Sequence, residues 1–276
     1  MRVPKLFHPL VKAYVTRQTR LALKPATIRD VTPLTAVLRE IIKTEGAITL
    51  ERYMQIVLHD PTHGYYRQGK PVGVDGDFGT SPEISQMFGE VLGAWCVNAW
   101  HRMGKPASFV LFELGPGRGT MLHTLFRLTQ AVPEFHQAMR LCLLESNANL
   151  RAIQQDKLAT HNPVYIDDLD ALPPLPIIVL ANEFFDTVPM RQFIKTRRGW
   201  AERKVTFKHN KFAFVEVPVT DIELPERKKG WMFETSPQSH IVMHKIAAHI
   251  ARHKGAGLIV DYGYETCPKK GTLDAW

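Results

Sequence analysis

One stretch, residues 110–120, constrains the fold of this chain more than any other, because an apolar run there ends in an acid and continues into a glycine-rich turn. Glu113 is followed by Gly115, Gly117 and Gly119 in the order E-x-G-x-G-x-G, and an apolar helical segment comes next. Glycines where a strand turns into a helix let the backbone approach a ligand closely, and the helix N-terminus points free N–H groups toward it. The stretch predicts a strand, a turn that binds a nucleotide-like cofactor, and a helix. The alternative is an ordinary strand-to-helix turn whose glycines serve packing.

The same alternation of strand and helix continues along the chain. Apolar strands are predicted at 141–145, 164–166, 176–181 and 257–263, and helices at 149–160 and 236–254. Acidic residues lie at the ends of the first three of these strands: Glu145, then Asp167 and Asp168, then Glu183. Alternating buried strands and helices imply an α/β fold with a parallel, doubly wound sheet, and ligands of such sheets sit at the carboxyl ends of the strands.

The segments around this core also have recognisable patterns. Short helices are predicted from Pro33 to Gly46 and from Thr49 to about residue 60, followed by a long loop to residue 80. A longer helix is expected from Ser81 to about residue 102, with its apolar face packed on the sheet; that face consists of Ile84, Met87, Phe88, Val91, Leu92, Trp95 and Ala99. The predicted organisation is a basic segment at 1–29, N-terminal helices and a lid loop at 33–105, and a core at 106–276 carrying a β flap at 192–217.

The net charge of +8 is concentrated at the N-terminus. Residues 1–29 contain seven basic residues and no acid, and removing these seven from the total of 35 leaves 28 basic against 27 acidic residues. A nearly neutral body argues against a nucleic-acid-binding protein. The acid-free start is typical of a mitochondrial presequence, which predicts a matrix location; a solvated basic tail on a bacterial cytoplasmic protein is the alternative.

Cys96, Cys142 and Cys267 have no metal-ligand or disulfide spacing, so no metal site is expected.

The spacing of the glycines narrows the choice of cofactor. A dinucleotide fingerprint is G-x-G-x-x-G, whereas this turn is G-x-G-x-G with Glu113 two residues before it. A carboxylate at that place suits a cofactor with a cationic amino group and would repel a pyrophosphate. The pattern resembles that of S-adenosylmethionine-dependent methyltransferases, which implies S-adenosyl-L-methionine as cofactor and a Rossmann-like class I methyltransferase sheet.

Three further motifs extend the resemblance over about residues 33–275: HDPTHGYY at 59–66, GDFGTSPEISQMFGE at 76–90 and NEFFDTVP at 182–189. Together with the glycine turn they resemble the MidA family. Mitochondrial members of that family act as protein arginine methyltransferases and assembly factors for respiratory complex I. The resemblance therefore implies a protein substrate with an arginine acceptor, with a complex I subunit suspected.

The cofactor residues follow from this resemblance. Gly115, Gly117 and Gly119 are expected under the methionine part of the cofactor, with Glu113 facing its amino group. Glu145 is expected to accept from both ribose hydroxyls, and a carboxylate capping the next helix is the alternative. Asp167 or Asp168 could accept from the adenine amino group or be an exposed turn acid. Asp77 is expected in a lid over the cofactor; a loop that only ties down the N-terminal helices is the alternative.

The acceptor site needs carboxylates, because a guanidinium is planar and always charged. Glu183 is the first candidate, with Asp186 or Glu83 as the second acid. Alternatively, Asn182 and Glu183 form a packing and capping unit with no catalytic part. Phe184 and Phe185 are predicted to be core residues.

Other functions stay open at this point. An NAD(P)-dependent Rossmann oxidoreductase is disfavoured by the glycine spacing. A non-catalytic assembly protein of the same fold and a small-molecule methyltransferase are further alternatives.

Family members continue beyond residue 276, and a seven-stranded methyltransferase sheet needs two strands after the one at 257. A fragment that lacks the final strands is therefore expected, with weak cofactor binding and an unpaired sheet edge.

Overall fold

The computed structural model describes residues 32–67, 80–264 and 271–273 of the chain. Its helices are α1 Pro33–Glu45, α2 Leu50–His59, α3 Ser81–Ile84, α4 Gln86–Arg102, α5 Thr120–Thr129, α6 Pro133–Ala138, α7 Ala148–Lys157 and α8 Pro237–His253. Its strands are β1 Ile48–Thr49, β2 Phe109–Leu114, β3 Met139–Leu144, β4 Val164–Tyr165, β5 Ile177–Asn182, β6 Arg191–Thr196, β7 Gly199–Lys208, β8 Lys211–Pro218, β9 Met232–Thr235 and β10 Gly255–Val260. No helix in the described ranges combines the length and the apolar character needed to cross a membrane.

The core sheet has five parallel strands in the order β10-β5-β2-β3-β4. The chain starts in the middle at β2, moves outward through β3 and β4, and returns to the other side of β2 with β5. The strand order therefore reverses between β2 and β5. In open α/β sheets the crevice at such a reversal, beside the carboxyl ends of the strands, is where ligands bind. The glycine turn and Glu183 follow the two strands that flank this point.

All side chains of β2 are buried, because helices cover both faces of the sheet. On one face, α4, α5 and α6 enclose a core that includes Trp100, Phe109 and Phe135. On the other face, α8 packs through Val242 and Ile246 onto the sheet. The alternation of strand and helix that predicted a doubly wound sheet is thus confirmed by the structure.

The long helix before the core differs from the prediction in two ways. Ser85 has an extended backbone, so the predicted single helix is divided into α3 and α4. The predicted inner face is wrong in part, since Ile84, Met87 and Val91 are exposed, Met87 by 66%. The buried face instead consists of Gly89, Leu92, Gly93, Cys96, Ala99 and Trp100.

The reason for this rotation of α4 is close helix packing. A Cβ at Gly89 would come within 1.8 Å of Thr124 Oγ1, and one at Gly93 would lie 3.1 Å from the carbonyl oxygen of Leu125. The two glycines therefore let α4 lie directly against α5. A count of apolar residues cannot find this face, because glycine carries no side chain to count.

The predicted flap strands belong to a larger antiparallel sheet. β7 pairs with β1, β6 and β8, and β6 also pairs with β9. Strands β1 and β9 lie outside the predicted flap at 192–217. Leu38 of α1 and Leu50 of α2 share a core with Val205 of β7, so the N-terminal helices pack on this second sheet.

Candidate active site

The three glycines of the turn all have left-handed backbone conformations. The φ angles are +63° at Gly115, +55° at Gly117 and +71° at Gly119. These angles are unfavourable for residues with a Cβ, so the turn depends on glycine at each position. Gly119 occupies the N-cap position of α5, which has no side-chain capping hydrogen bond. The first N–H groups of α5 therefore point toward the crevice beside β2.

The surroundings of the glycines differ. A Cβ at Gly115 would come within 2.9 Å of Cδ2 of Phe184, so the ring of Phe184 lies directly on the turn. A Cβ at Gly119 would lie 3.3 Å from Leu158 Cδ1, on the side of α7. Gly115 and Gly117 line a small cavity at the reversal point, whereas Gly119 is absent from its lining. Gly119 is thus needed for the backbone conformation of the turn and for its packing against α7, and it does not line the cavity.

Glu113 is buried at the bottom of this cavity, with 2% of its surface exposed. Within the described part of the chain its Oε2 atom has no hydrogen-bond partner, and neither has Oδ1 of Asn182, another lining residue. Burial, reinforced by the nearby Glu145 charge, raises the pKa of Glu113 to about 8. A buried carboxylate that lacks a partner is ready to receive a cationic group.

The cavity itself has a volume of about 70 Å³. This is well below the ~300 Å³ of the smallest usual ligand pockets, so it can hold only one end of a cofactor. Its lining comes from the turn, from the end of β5 and from the segment that opens α3: Thr80, Pro82, Glu83, Glu113, Gly115, Pro116, Gly117, Arg118, Thr120, Met121, Asn182 and Glu183.

Glu145 lies at the end of β3 and is already engaged by its neighbours. Its Oε1 accepts a hydrogen bond of 2.8 Å from the backbone N–H of Asn147, and its Oε2 lies 3.3 Å from Nε2 of Gln154. Burial raises the pKa of Glu145, and these hydrogen bonds act in the opposite direction. Asn147, rather than Glu145, caps α7 through its side chain. Glu145 therefore braces the turn before α7 and keeps accepting capacity on Oε2.

Asp167 and Asp168 lie at the outer end of β4 and are both exposed. Asp167 forms an ion pair with Arg151, and 85% of its side chain is exposed. Asp168 accepts from the backbone N–H of Asp170 at 3.0 Å and from Lys245 at 2.8 Å. The hydrogen bond from Asp170, assisted by Lys245, lowers the pKa of Asp168. Asp168 is thus occupied as a turn acid, whereas Asp167 is held, among the described residues, only by the half-buried Arg151.

A cluster of three carboxylates, Glu183, Asp186 and Asp261, lies beyond the ends of β5 and β10. Burial, then repulsion from Asp261, raises the pKa of Asp186 to about 6. Burial together with Asp186 and Asp261 also raises the pKa of Glu183, which accepts a hydrogen bond from the backbone N–H of Ser81. Glu183 has a φ of +48°, a conformation that non-glycine residues rarely adopt. Such strain is concentrated at functional sites.

The motif at 59–66 crosses the same edge of the sheet. Nε2 of His59 lies 3.4 Å from the carbonyl oxygen of Thr187, and its ring stacks on Tyr66 at 5.8 Å. Asn147 donates a hydrogen bond to the carbonyl of Tyr66. Burial and the charges of Asp186 and Glu183 raise the pKa of Tyr66 to about 12. Tyr66 therefore bridges the end of β3 and the acidic cluster.

Two further candidates, Glu83 and Asp77, come from the 76–90 motif. Glu83 lines the cavity together with Glu183. Burial lowers the pKa of Lys157, and the charge of Glu83 partly offsets this effect. The amine of Lys157 donates a hydrogen bond to Thr120 at 3.0 Å. Asp77 lies outside the described residues. Phe184 and Phe185 are half-buried and pack against the core face that α8 covers, with their rings edge-to-face at 5.2 Å, so the core interpretation is confirmed in part.

Three residues at this edge were missed as site residues. Gln154 is fully buried in α7, Asp261 follows β10, and Tyr66 lies in the 59–66 motif. Asp261 had a detectable signal, since it ends an apolar strand as Glu113 and Glu145 do. Gln154 had none, because its partners become neighbours only when α7 packs on the turn.

Comparison with known proteins agrees with this geometry. Residues 91–276 match the family described as "Putative S-adenosyl-L-methionine-dependent methyltransferase". The chain belongs to this family. The predicted cofactor class and the resemblance to methyltransferases are thereby confirmed, and the oxidoreductase alternative is excluded.

Curated relatives cover most of the chain. The mouse protein named "Protein arginine methyltransferase NDUFAF7, mitochondrial" is 35% identical over 274 residues, which are 88% of this chain and 62% of that protein. The human protein of the same name is 34% identical over 269 residues, 84% of this chain and 60% of that protein. The chain thus spans about three fifths of the length of the curated relatives it matches.

Solved structures support the fold. A Burkholderia thailandensis protein crystallised with bound S-adenosyl-homocysteine is 26% identical, with a TM-score of 0.68 over 83% of this chain and 62% of that chain. A native crystal structure from the same organism is 24% identical, with a TM-score of 0.67 over 89% of this chain and 65% of that one. The expected Rossmann-like class I methyltransferase architecture is confirmed.

Proposed function

We propose that this chain transfers the methyl group of S-adenosyl-L-methionine to an arginine side chain of a protein. The observation that carries the proposal is the placement of two different acidic sites side by side at the reversal of strand order. One is the buried Glu113 beside the left-handed glycine turn, and the other is the pair Glu183 and Asp186 beyond the end of β5.

The cofactor half of the site suits a cationic amino acid end. The Oε2 atom of Glu113 and the Oδ1 atom of Asn182 are buried acceptors that lack partners in the described residues. Gly115 and Gly117 allow the backbone to come close to the bound group, and Gly119 orients the start of α5. Glu145, held by Asn147 and Gln154, faces the next part of the cofactor as the ribose acceptor. Asp167 at the outer strand end is preferred over Asp168 for the adenine amino group, because Asp168 is engaged by Asp170 and Lys245.

The acceptor half suits a guanidinium. When bound, the sulfonium cofactor supplies an electrophilic methyl group, and catalysis consists of positioning and electrostatics. Glu183 and Asp186 would bind two N–H edges of the guanidinium and orient one nitrogen toward the methyl group. Glu83, across the cavity from the turn, is the alternative second acid. A cation in this cluster would also relieve the repulsion that, together with burial as the larger cause, raises the pKa values of Glu183 and Asp186.

The names of the relatives support a protein substrate and a mitochondrial location for this chain. The acid-free, basic residues 1–29 favour import into the matrix. A subunit of respiratory complex I is the proposed substrate, and support of complex I assembly is the proposed cellular role. The antiparallel sheet formed by β1, β6, β7, β8 and β9 is the proposed docking surface for such a partner.

The test is methyl transfer from tritium-labelled S-adenosyl-L-methionine to mitochondrial proteins, followed by amino acid analysis for methylarginine. Glu183→Gln should keep S-adenosyl-homocysteine binding within about threefold and lose at least about 90% of transfer, because a neutral amide cannot balance the guanidinium charge. Glu216→Gln, an exposed change on β8, is the control and should be fully active. Unchanged turnover in Glu183→Gln would remove Glu183 from the mechanism, and label in a residue other than arginine would contradict the proposed acceptor.

A further inference from the structure

Asp261 is bonded to three backbone N–H groups at the end of the core sheet. Its Oδ2 accepts from Phe185 at 2.9 Å and from Asp186 at 3.2 Å, and its Oδ1 accepts from Tyr262 at 2.8 Å. The two bonds to Oδ2 come from the short helical turn Phe185–Thr187 that follows β5. One side chain at the end of β10 therefore holds the segment that carries both proposed acceptor acids.

The same segment contains the strained residue. Glu183 has a φ of +48°, and its backbone N–H donates to the carbonyl oxygen of Val260 at 2.8 Å. Val260 directly precedes Asp261, so the ends of β5 and β10 are joined by three hydrogen bonds within four residues of Glu183. Strained conformations persist only where surrounding contacts determine them. The bonds from Asp261 and Val260 supply these contacts.

The groups that face the cluster from other segments are two tyrosines, a histidine and a backbone N–H. The pKa values of Tyr66 and Tyr262 are both raised, mainly by burial and further by the negative charges of Glu183 and Asp186. On the N-terminal side, His59 contacts Thr187 and has its pKa lowered by burial, while Arg67 donates to Ser146 at 2.7 Å. Ser81 donates a backbone hydrogen bond to Glu183. Among the described side chains that meet the cluster, no lysine or arginine forms an ion pair with Glu183, Asp186 or Asp261.

The geometry points to Asp261 as a positioning residue that holds Glu183 and Asp186 in place as a paired receptor for a guanidinium, with its own charge making the receptor selective for a cation. This inference rests on the proposed function, since it assigns to Asp261 a task in the acceptor half of that site. Asp261 would act through the two acids and would not itself contact the transferred methyl group.

The experiment measures binding of an acetylated Gly-Arg-Gly amide to the full chain saturated with S-adenosyl-homocysteine, between pH 5 and 8. Wild-type affinity should rise with pH as Asp186, whose pKa is about 6, loses its proton. Asp261→Asn removes the repelling charge, so the midpoint of this rise should move down by about half a pH unit to one unit. The same variant loses at least one backbone hydrogen bond, so its best Kd should weaken by about tenfold.

Asp261→Glu separates charge from geometry. It keeps the charge, so its midpoint should stay within about 0.3 unit of wild type while its best Kd weakens, because the longer side chain misplaces the turn. Asp170→Asn, which removes an exposed carboxylate paired with Lys245, is the control and should change neither quantity. Equal pH midpoints for wild type and Asp261→Asn would overturn the inference, as would loss of a cooperative melt in both variants at residue 261, because Asp261 would then serve folding alone.

Two further measurements complete the test, namely peptide binding by the wild-type protein and methyl transfer. Absence of peptide binding by the wild type at every pH would also overturn the inference, as would equal binding of an acetylated Gly-Lys-Gly amide, in which an ammonium group replaces the guanidinium. Methyl transfer is scored separately on protein substrate. Intact, Asp261-dependent peptide binding without transfer to arginine would contradict the proposed reaction and would support the assignment of Asp261.

Discussion

Gln154 donates from Nε2 to the carbonyl oxygen of Gly117 at 2.6 Å, so a side chain of α7 is bonded directly to the glycine turn. The same nitrogen lies 3.3 Å from Oε2 of Glu145. A single amide therefore connects the turn after β2 with the acid that ends β3. These are the two places where the cofactor is proposed to bind at its amino acid end and at its ribose.

Replacing this amide should weaken cofactor binding. Gln154→Met fills a similar volume but leaves the Gly117 carbonyl without its partner, and we expect a loss of about 0.5–1.5 kcal/mol, or up to about tenfold in Kd for S-adenosyl-homocysteine. Calorimetric titration measures the effect. The control is Gln192→Met in β6, which removes a buried amide bonded to Glu234 in the other sheet and should leave Kd unchanged. Equal losses in both variants would show that Gln154 acts only through stability.

Cofactor binding should release a proton at neutral pH. The pKa of Glu113 is raised to about 8, so the carboxyl is mostly protonated at pH 7 in the protein alone. A bound ammonium group favours the charged form, so affinity for S-adenosyl-homocysteine should increase as pH rises from 6 to 8 and then level off. Titrations in buffers with different ionisation enthalpies measure the proton release directly.

Glu113→Gln is the matched variant for this measurement and should bind without proton release. It should also change the pH dependence of folding. The pKa of Glu113 in the folded state lies above the ordinary glutamate value of 4.5, so the folded state binds more protons between these values and stability falls as pH rises through them. The melting temperature of the variant should fall less between pH 5 and 8. A pH-independent Kd in the wild type would contradict the assignment of Glu113.

Glycine at position 115 should be required for both conformation and space. Gly115→Ala combines a φ of +63° with a Cβ placed 2.9 Å from the Phe184 ring, so we expect a loss of at least about 2 kcal/mol in unfolding free energy and weak cofactor binding. Gly104→Ala is the control, because Gly104 has a φ of +87° with nothing within 4 Å of the added Cβ. It should lose about 1–2 kcal/mol from backbone strain and keep cofactor affinity. Denaturant unfolding and titration separate the two effects, and equal behaviour of both variants would contradict the contact with Phe184.

Tyr66 should contribute a wall of the acceptor site through its ring. Tyr66→Ala should raise KM for the protein substrate by about tenfold, because it removes an aromatic face beside the proposed guanidinium position. Tyr66→Phe keeps the ring and should stay within about threefold of wild type. Tyr53→Ala is the control, since Tyr53 packs on Phe212 at 6.0 Å in the other sheet and should affect stability alone. A tenfold loss in Tyr66→Phe would assign the role to the hydroxyl instead.

The sequence predicts the ends of helices correctly where a capping residue contacts a backbone group three or four residues away. The second helix is predicted to begin at Thr49, and in the structure the hydroxyl of Thr49 caps this helix by accepting from the backbone N–H of Arg52 at 3.1 Å. Gly46 was expected to end α1, and it occupies the C-cap position with a φ of +80°. These features depend on residues three or four positions apart, so they can be read before the chain is folded.

The face of α4 shows the opposite case. Met87 and Val91 have the right character and spacing for a core, yet they are exposed, while Gly89 and Gly93 are buried against α5. The distance between two helix axes decides which face is buried, and that distance is a property of the packed pair. Periodicity within one helix contains no information about it.

The sequence by itself determined the order of strands and helices, the glycine turn and the acid that precedes it, because buried strands are continuous apolar runs and left-handed turns need glycine. Only the tertiary structure decided which acids meet. Asp261 lies 78 residues after Glu183 in the chain, and its carboxylate reaches the turn beside Glu183 because β10 and β5 pair in parallel and end at the same edge. Burial at that edge then raises the pKa values of Glu183 and Asp186, and burial is a property of the folded sheet and the helices that cover it.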